Sequence, residues 1–143
     1  MRIIHLLVLL LSLPTALYAE KNAFHDVADE FLAFVDHKAG IITPQQLHEV
    51  GLENVVLINL NVESQYNKGQ TLAGSINMDW REVLKRRNEI PHDKTVVMYC
   101  NTMLYSSRAQ LLVNMDGFDN VLLLQGGLNN WNNYQASLDH TDK

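Results

Sequence analysis

"TVVMYCNTMLYSSRAQLL", Thr95 to Leu112, joins an apolar run to a polar turn and then to a helical pattern. Val96 to Tyr99 is a continuous apolar stretch, the pattern of a short strand covered on both faces. "SSRAQLLVNMDG" reads as the helix that follows, stopped by Gly117. At the hinge stands Cys100, the single cysteine among 143 residues.

The same strand pattern recurs on either side. "NVVLINLN" (Asn54 to Asn61) and "NVLLLQ" (Asn120 to Gln125) are predicted buried strands, and "AGSINM" (Ala73 to Met78) a brief one. Helical signals alternate with them. In "GIITPQQLHEVG", Thr43 fits an N-cap, Pro44 the first helical position, Gln46 a capping box and Gly51 the stop. "VESQYNKG" reads as a short helix ending at Gly69, and "DWREVLKRRNEI" as a helix capped by Asp79. "GGLNNWNNY" begins a last helix after a double glycine. Strands alternating with helices imply right-handed crossovers and a mainly parallel sheet. The expected fold is α/β, one three-layer domain over residues 41–136 with a polar tail at 137–143. Upstream, Phe24, Val27, Phe31, Phe34 and Val35 recur at helical spacing, so residues 20–40 are expected to form a helix packed on that domain.

The N-terminus reads "MRIIHLLVLLLSLPTALYAE". One charge at Arg2 precedes an apolar run broken by Pro14, and small residues follow up to Ala19. That is the layout of a secretory signal peptide over residues 1–19, and the apolar run is short for a membrane span. An exported, periplasmic protein without a membrane anchor after cleavage is the expectation. Cleavage takes 19 of 143 residues and one of 11 basic ones, leaving 124 residues with 10 basic and 16 acidic. A formal charge of −6 without a basic cluster disfavours nucleic acid as a partner.

Export sharpens the question of the thiol. Small exported domains use paired cysteines as staples, yet one cysteine has no partner within the chain. It is buried and inert, joined to another molecule, or reactive. Position favours the last. Ligands of parallel sheets bind beyond the carboxyl ends of strands, and Cys100 ends its strand just before a helix expected to start near Ser106. Unpaired N–H groups and the positive end of the helix dipole stabilise a thiolate, which is the nucleophile. The thiol is therefore expected to be ionised and reachable.

From Ile42 to Tyr134 the chain resembles the single-domain rhodaneses, a sulfurtransferase family. "ITPQQL" is similar to the family's opening helix, and "VVLINLNVESQYNKG" to its strand and acidic-aromatic helix. "AGSINM", "VVMYC" and "GFDNVLLLQGGLNNW" are similar to the later strands, the cysteine strand end and the closing double glycine with tryptophan. The resemblance implies a catalytic Cys100 that carries sulfane sulfur as a persulfide from a small donor to a thiol acceptor. It implies no cofactor and no metal. The backbone of Asn101, Thr102, Met103, Leu104, Tyr105 and Ser106 would wrap the outer sulfur, and Arg108 matches the family's basic residue as an anion contact or, equally, as a helix-surface arginine. A periplasmic thiol reductant is the further partner that export suggests.

The loop departs from the family pattern. Met103 stands where glycine is usual and Tyr105 where arginine is usual, while Asn59 and Asn61 replace an Asp-x-Arg pair. A charge-assisted hydrogen bond contributes about 1.5–3 kcal/mol, so thiosulfate binding is expected to weaken roughly ten- to a hundredfold. Met103 is expected to resist the positive φ that glycine adopts there. The competing expectation is a binding module without catalysis, holding a thiol peptide or small anion in the same place. A Cys-x5-Arg phosphatase would need arginine at position 106, where Ser106 stands. Neither a metal-ligand spacing nor a thiol-hydrolase base is evident among the histidines, and Trp80 and Trp131 read as packing residues.

Overall fold

A computed structural model describes residues 23–33, 40–66, 68 and 71–141. The expected signal segment, along with Phe34, Val35 and Gly69, lies outside the described residues. The chain divides into two compact units, Met1–His37 and Lys38–Lys143. In the first, residues 23–33 form helix α1.

The second unit holds a five-stranded sheet. In chain order it runs β1 (Ile41–Ile42), α2 (Pro44–Val50), β2 (Val56–Asn59), α3 (Glu63–Tyr66), β3 (Ile76–Asn77), β4 (Val96–Tyr99), α4 (Leu104–Met115), β5 (Val121–Leu124) and α5 (Gly127–Thr141). The strand order is β1-β5-β4-β2-β3 and every pairing is parallel. All four residues of β4 are buried, as its unbroken apolar run requires. β1 was not legible beforehand: two residues on a sheet edge leave no periodicity.

Side-chain alternation divides the core into two layers. On one face Ile58, Met98 and Val121 pack with Ala109 and Val113 of α4. On the other, Leu57, Val97 and Tyr99 pack with Leu47 of α2 and Leu128 and Trp131 of α5. Cys100, two residues on from Met98, continues the row that faces α4.

Capping of α2 is as the sequence reads: Thr43 accepts from Gln46 N–H, the Gln46 side chain answers, and Gly51 ends the helix at φ 88°. Three expectations are corrected. The helix expected over Asp79 to Ile90 is two 3-10 turns, Trp80–Glu82 and Arg87–Glu89, although Asp79 does cap the first. α4 begins at Leu104 rather than near Ser106, which shortens the loop after Cys100 to three residues. α5 continues through Thr141, past the point where a polar tail was expected.

From β2 the chain steps outward to β3, whereas β4 and β5 lie on β2's other side. The carboxyl ends of β2 and β4 therefore flank a topological switch point, the usual place for a ligand. Asn61 and Cys100 stand there. Among the described residues, no helix is long and apolar enough to cross a membrane.

Candidate active site

Cys100 leaves β4 directly against the first turn of α4. Ser106, fully buried in that turn, places its hydroxyl 3.5 Å from the Cys100 sulfur and 3.4 Å from the carbonyl oxygen of Met103. A hydroxyl has one proton to donate. It serves either the sulfur or the carbonyl, and a thiolate would draw it to the sulfur. Leu104 N–H donates to Thr102 Oγ1 at 3.3 Å. Among the described residues, the N–H groups of Thr102, Met103, Tyr105 and Ser106 have no acceptor. They are the open donors of a helix start, at its positive end.

Met103 corrects a sequence expectation. It takes φ 155° and ψ −12°, a positive φ despite its side chain, so the loop bends as a glycine would bend it. Such a backbone costs about 1–3 kcal/mol, which neighbouring contacts must offset.

Those contacts come from two directions. Behind the loop, Leu128 N–H donates to Cys100 O at 2.8 Å and Asn129 N–H to Asn101 O at 3.0 Å. This approach is so close that a Cβ on Gly127 would sit 2.3 Å from Cys100 O. From the side, Asn61 and Asn101 bond twice: Asn61 Nδ2 donates to Asn101 Oδ1 at 3.0 Å, and Asn101 N–H donates to Asn61 Oδ1 at 3.1 Å. Asn59 Oδ1 in turn accepts from Asn61 N–H at 3.1 Å. Asn59 and Asn61 are fully buried, so unpaired amides there would be costly. An amide network occupies the place of the charged pair.

Tyr105 does not reach toward the loop as an arginine fork would. Its ring stacks on Trp80 with centroids 5.7 Å apart and planes 3° from parallel. Arg108 lies over the same indole, its guanidinium carbon 5.6 Å from the ring centroid. Trp80 is fixed by the turn that carries it: Asp79 accepts from Arg81 N–H and also binds the Arg81 side chain. Hydrogen bonds from the Arg81 guanidinium hold the Asp79 carboxyl below the usual carboxylate range.

Of the residues singled out in the sequence, the structure brings Cys100, Met103 and Ser106 together, and Asn101 braces the loop. Thr102 accepts from the first N–H of α4 at Leu104, Leu104 is 55% exposed, and Tyr105 and Arg108 gather on Trp80. Reachability is corrected: Cys100 is 1% exposed, so the thiol is closed off from solvent in this conformation. Two surface hollows of about 450 Å³ and 390 Å³ open elsewhere, beside Leu57 and Gly74 and beside Ile42 and Leu122. Sequence reasoning missed Asn61, Gly127 and Trp80 as parts of the site. The joint departure at Asn59, Asn61 and Asn101 was the available signal, since three amides can satisfy one another. Among the described residues, no group of three His, Cys, Asp or Glu side chains could hold a metal ion.

Comparison with known proteins agrees with this architecture. The sequence model of the rhodanese-like domain family matches residues 43–134. An uncharacterised Bacillus subtilis protein, YqhL, is 30% identical over 81 residues, which cover 57% of this chain and 64% of that protein. A sulfurtransferase of Allochromatium vinosum is 28% identical over 79 residues, covering 55% of this chain and 73% of that one. A rhodanese-related protein from Thermoplasma volcanium superposes with a TM-score of 0.60 at 20% identity, covering 66% of this chain and 91% of that structure.

Proposed function

The chain belongs to the rhodanese-like domain family, and from that premise we propose that Cys100 carries sulfane sulfur as a persulfide and passes it to a thiol acceptor. In the first step the Cys100 thiolate attacks the outer sulfur of the donor. A new S–S bond forms, the donor's own S–S bond breaks, and the electron pair leaves with the departing group, sulfite in the case of thiosulfate. In the second step an acceptor thiolate attacks the outer sulfur and Cys100 leaves as thiolate. No external reductant enters either step. The N–H groups of Thr102, Met103, Tyr105 and Ser106 would hold the terminal sulfur's negative charge, and the Ser106 hydroxyl the inner sulfur.

The observation that carries this reading is the sulfur set at the start of the twelve-residue α4, 3.5 Å from a buried hydroxyl. Thiosulfate would be a poor donor, because Tyr105 is turned onto Trp80 and offers no guanidinium fork. Since Cys100 is 1% exposed, transfer also needs the loop to open. We place the protein, on its N-terminal sequence, in the periplasm, where a thiol reductant would keep Cys100 reduced.

A second reading has one observation in its favour. The Asn61–Asn101 bridge holds the loop closed, which suits a non-transferring module that binds a thiol peptide or small anion at its rim.

Intact-mass measurement separates the two. After exposure to inorganic polysulfide, the protein should gain one sulfur atom, and Cys100→Ser should gain none. Thiosulfate:cyanide turnover should lie at least about tenfold below that of an arginine-loop rhodanese, the factor worth one lost charge-assisted bond. A wild-type thiol that takes up no sulfur from any donor leaves only the binding module.

A further inference from the structure

We propose that the outer face of α4 binds a second copy of this chain, the two helices packed antiparallel about a two-fold axis level with Ser107 and Arg108. The inward side of the helix is set by its buried residues, Ser106, Ala109 and Val113. At about 100° per residue, Leu104, Leu111 and Met115 fall on the opposite side, the one turned furthest from the core. A helix that packs on a domain through one face carries polar residues on the other. Here Leu104 is 55% exposed and Leu111 45%, with Leu112 beside them at 37%. Arg108 shares this side, but its guanidinium is held over the Trp80 ring, 5.6 Å from the centroid. The middle of the face is left to Ser107 and to the aliphatic stem of the arginine.

Two features of the helix select a second copy as the occupant. The first is spacing. Leu104 and Leu111 stand seven residues apart, about 10 Å along the axis, at equal distances from the point between Ser107 and Arg108. In an isologous contact residue i meets residue j and j meets i. An antiparallel copy therefore sets Leu104 of each chain against the partner's Leu111. The second feature is charge. α4 has no acidic residue in its first turn and no basic residue in its last, and Arg87 offsets the Asp116 carboxylate that caps it. The helix itself answers neither end of its dipole. An antiparallel copy brings the negative end of one helix beside the positive end of the other, where the N–H groups of Tyr105 and Ser106 have no acceptor among the described residues. The contact is small: twelve residues span about 18 Å, and one helix face falls short of the roughly 800 Å² per partner of a standard interface.

Sedimentation of the purified protein tests the association. It should be monomeric at about 1 µM and a monomer–dimer mixture at several hundred micromolar, since a contact of this size supports an affinity of about 100 µM rather than nanomolar. Leu111→Glu should raise the dissociation constant at least about tenfold, because each dimer loses the leucine contact twice and buries a carboxylate. Its urea midpoint at low concentration should match the wild type, since Leu111 is exposed in the single chain. Cross-linking tests the orientation. Leu104→Cys and Leu111→Cys, each combined with Cys100→Ser, are oxidised by air with a copper catalyst, separately and mixed. A disulfide needs Cα atoms within about 7 Å, so the mixture should link several times faster than either variant alone. Parallel helices would instead link each variant to itself. A protein still monomeric at several hundred micromolar, a dimer that Leu111→Glu leaves unchanged, or self-linking that outpaces mixed linking overturns the assignment.

Discussion

Two strand-to-helix junctions meet at the thiol, and each uses its N–H groups differently. At the end of β5, Gly126 and Gly127 turn the chain at φ 71° and 64°, and α5 spends its first N–H groups on the carbonyls of Cys100 and Asn101. At the end of β4, Cys100 to Met103 make the turn, and the N–H groups of Tyr105 and Ser106 find no acceptor among the described residues. The glycine junction is scaffold, its donors spent on protein backbone. The cysteine junction is held in place by it and keeps its own donors for something else. A helix start becomes a site only where a second element supplies the rigidity that an unfilled cradle lacks.

Gly127→Ala attacks the scaffold and should have the largest effect. Its Cβ would meet Cys100 O at 2.3 Å and the carbonyl carbons of Asn101 and Thr102 at 2.9 Å, on a backbone already at φ 64°. A loss of about 3 kcal/mol or more is expected from clash and strain together, seen as a lower urea midpoint. An unchanged midpoint would mean that the two junctions are not mechanically joined. Asn61→Leu removes the lateral brace, and with it both hydrogen bonds between Asn61 and Asn101, at a cost of about 1–3 kcal/mol. Iodoacetamide should then label Cys100 faster, because the loop opens more often. Labelling at the wild-type rate would show that the amide bridge does not keep the thiol closed. Met103→Gly has the smallest effect and the opposite sign. Relief of about 1–3 kcal/mol of strain is partly offset by about 1 kcal/mol of glycine chain entropy, for a net stabilisation of about 1 kcal/mol, seen as a higher urea midpoint. A destabilised Met103→Gly would show that the side chain contributes packing worth more than its backbone costs.

The strands were legible because burial on both faces writes itself as an unbroken apolar run, as in Val56 to Ile58 of β2, Val96 to Tyr99 of β4 and Val121 to Leu124 of β5. The α2 cap was legible because Thr43, Pro44 and Gln46 act within four residues. Cys100 was legible by position at a strand end. The 3-10 turns after Asp79 were not: "DWREVLKRRNEI" has helical composition, and Val83 and Ile90, seven residues apart and both buried, would share one face of a helix just as well. Met103 was misread because local preference was weighed without the contacts that overrule it. The roles of Asn61 and Trp80 depend on partners across the fold, which leave no periodic trace in a single chain.

The amide bridge joins residues 40 positions apart, and the pairing of β2 with β4 must be complete before Asn61 and Asn101 can meet. Contacts of such sequence separation come late when a chain folds, because the intervening loop must close first. Until then the thiol is one more flexible cysteine with no braced loop around it. Braced competence at position 100 would therefore report that the centre of the sheet has closed, and a newly made or half-unfolded copy would meet sulfur donors only as an ordinary exposed thiol, without a cradle for the outer sulfur.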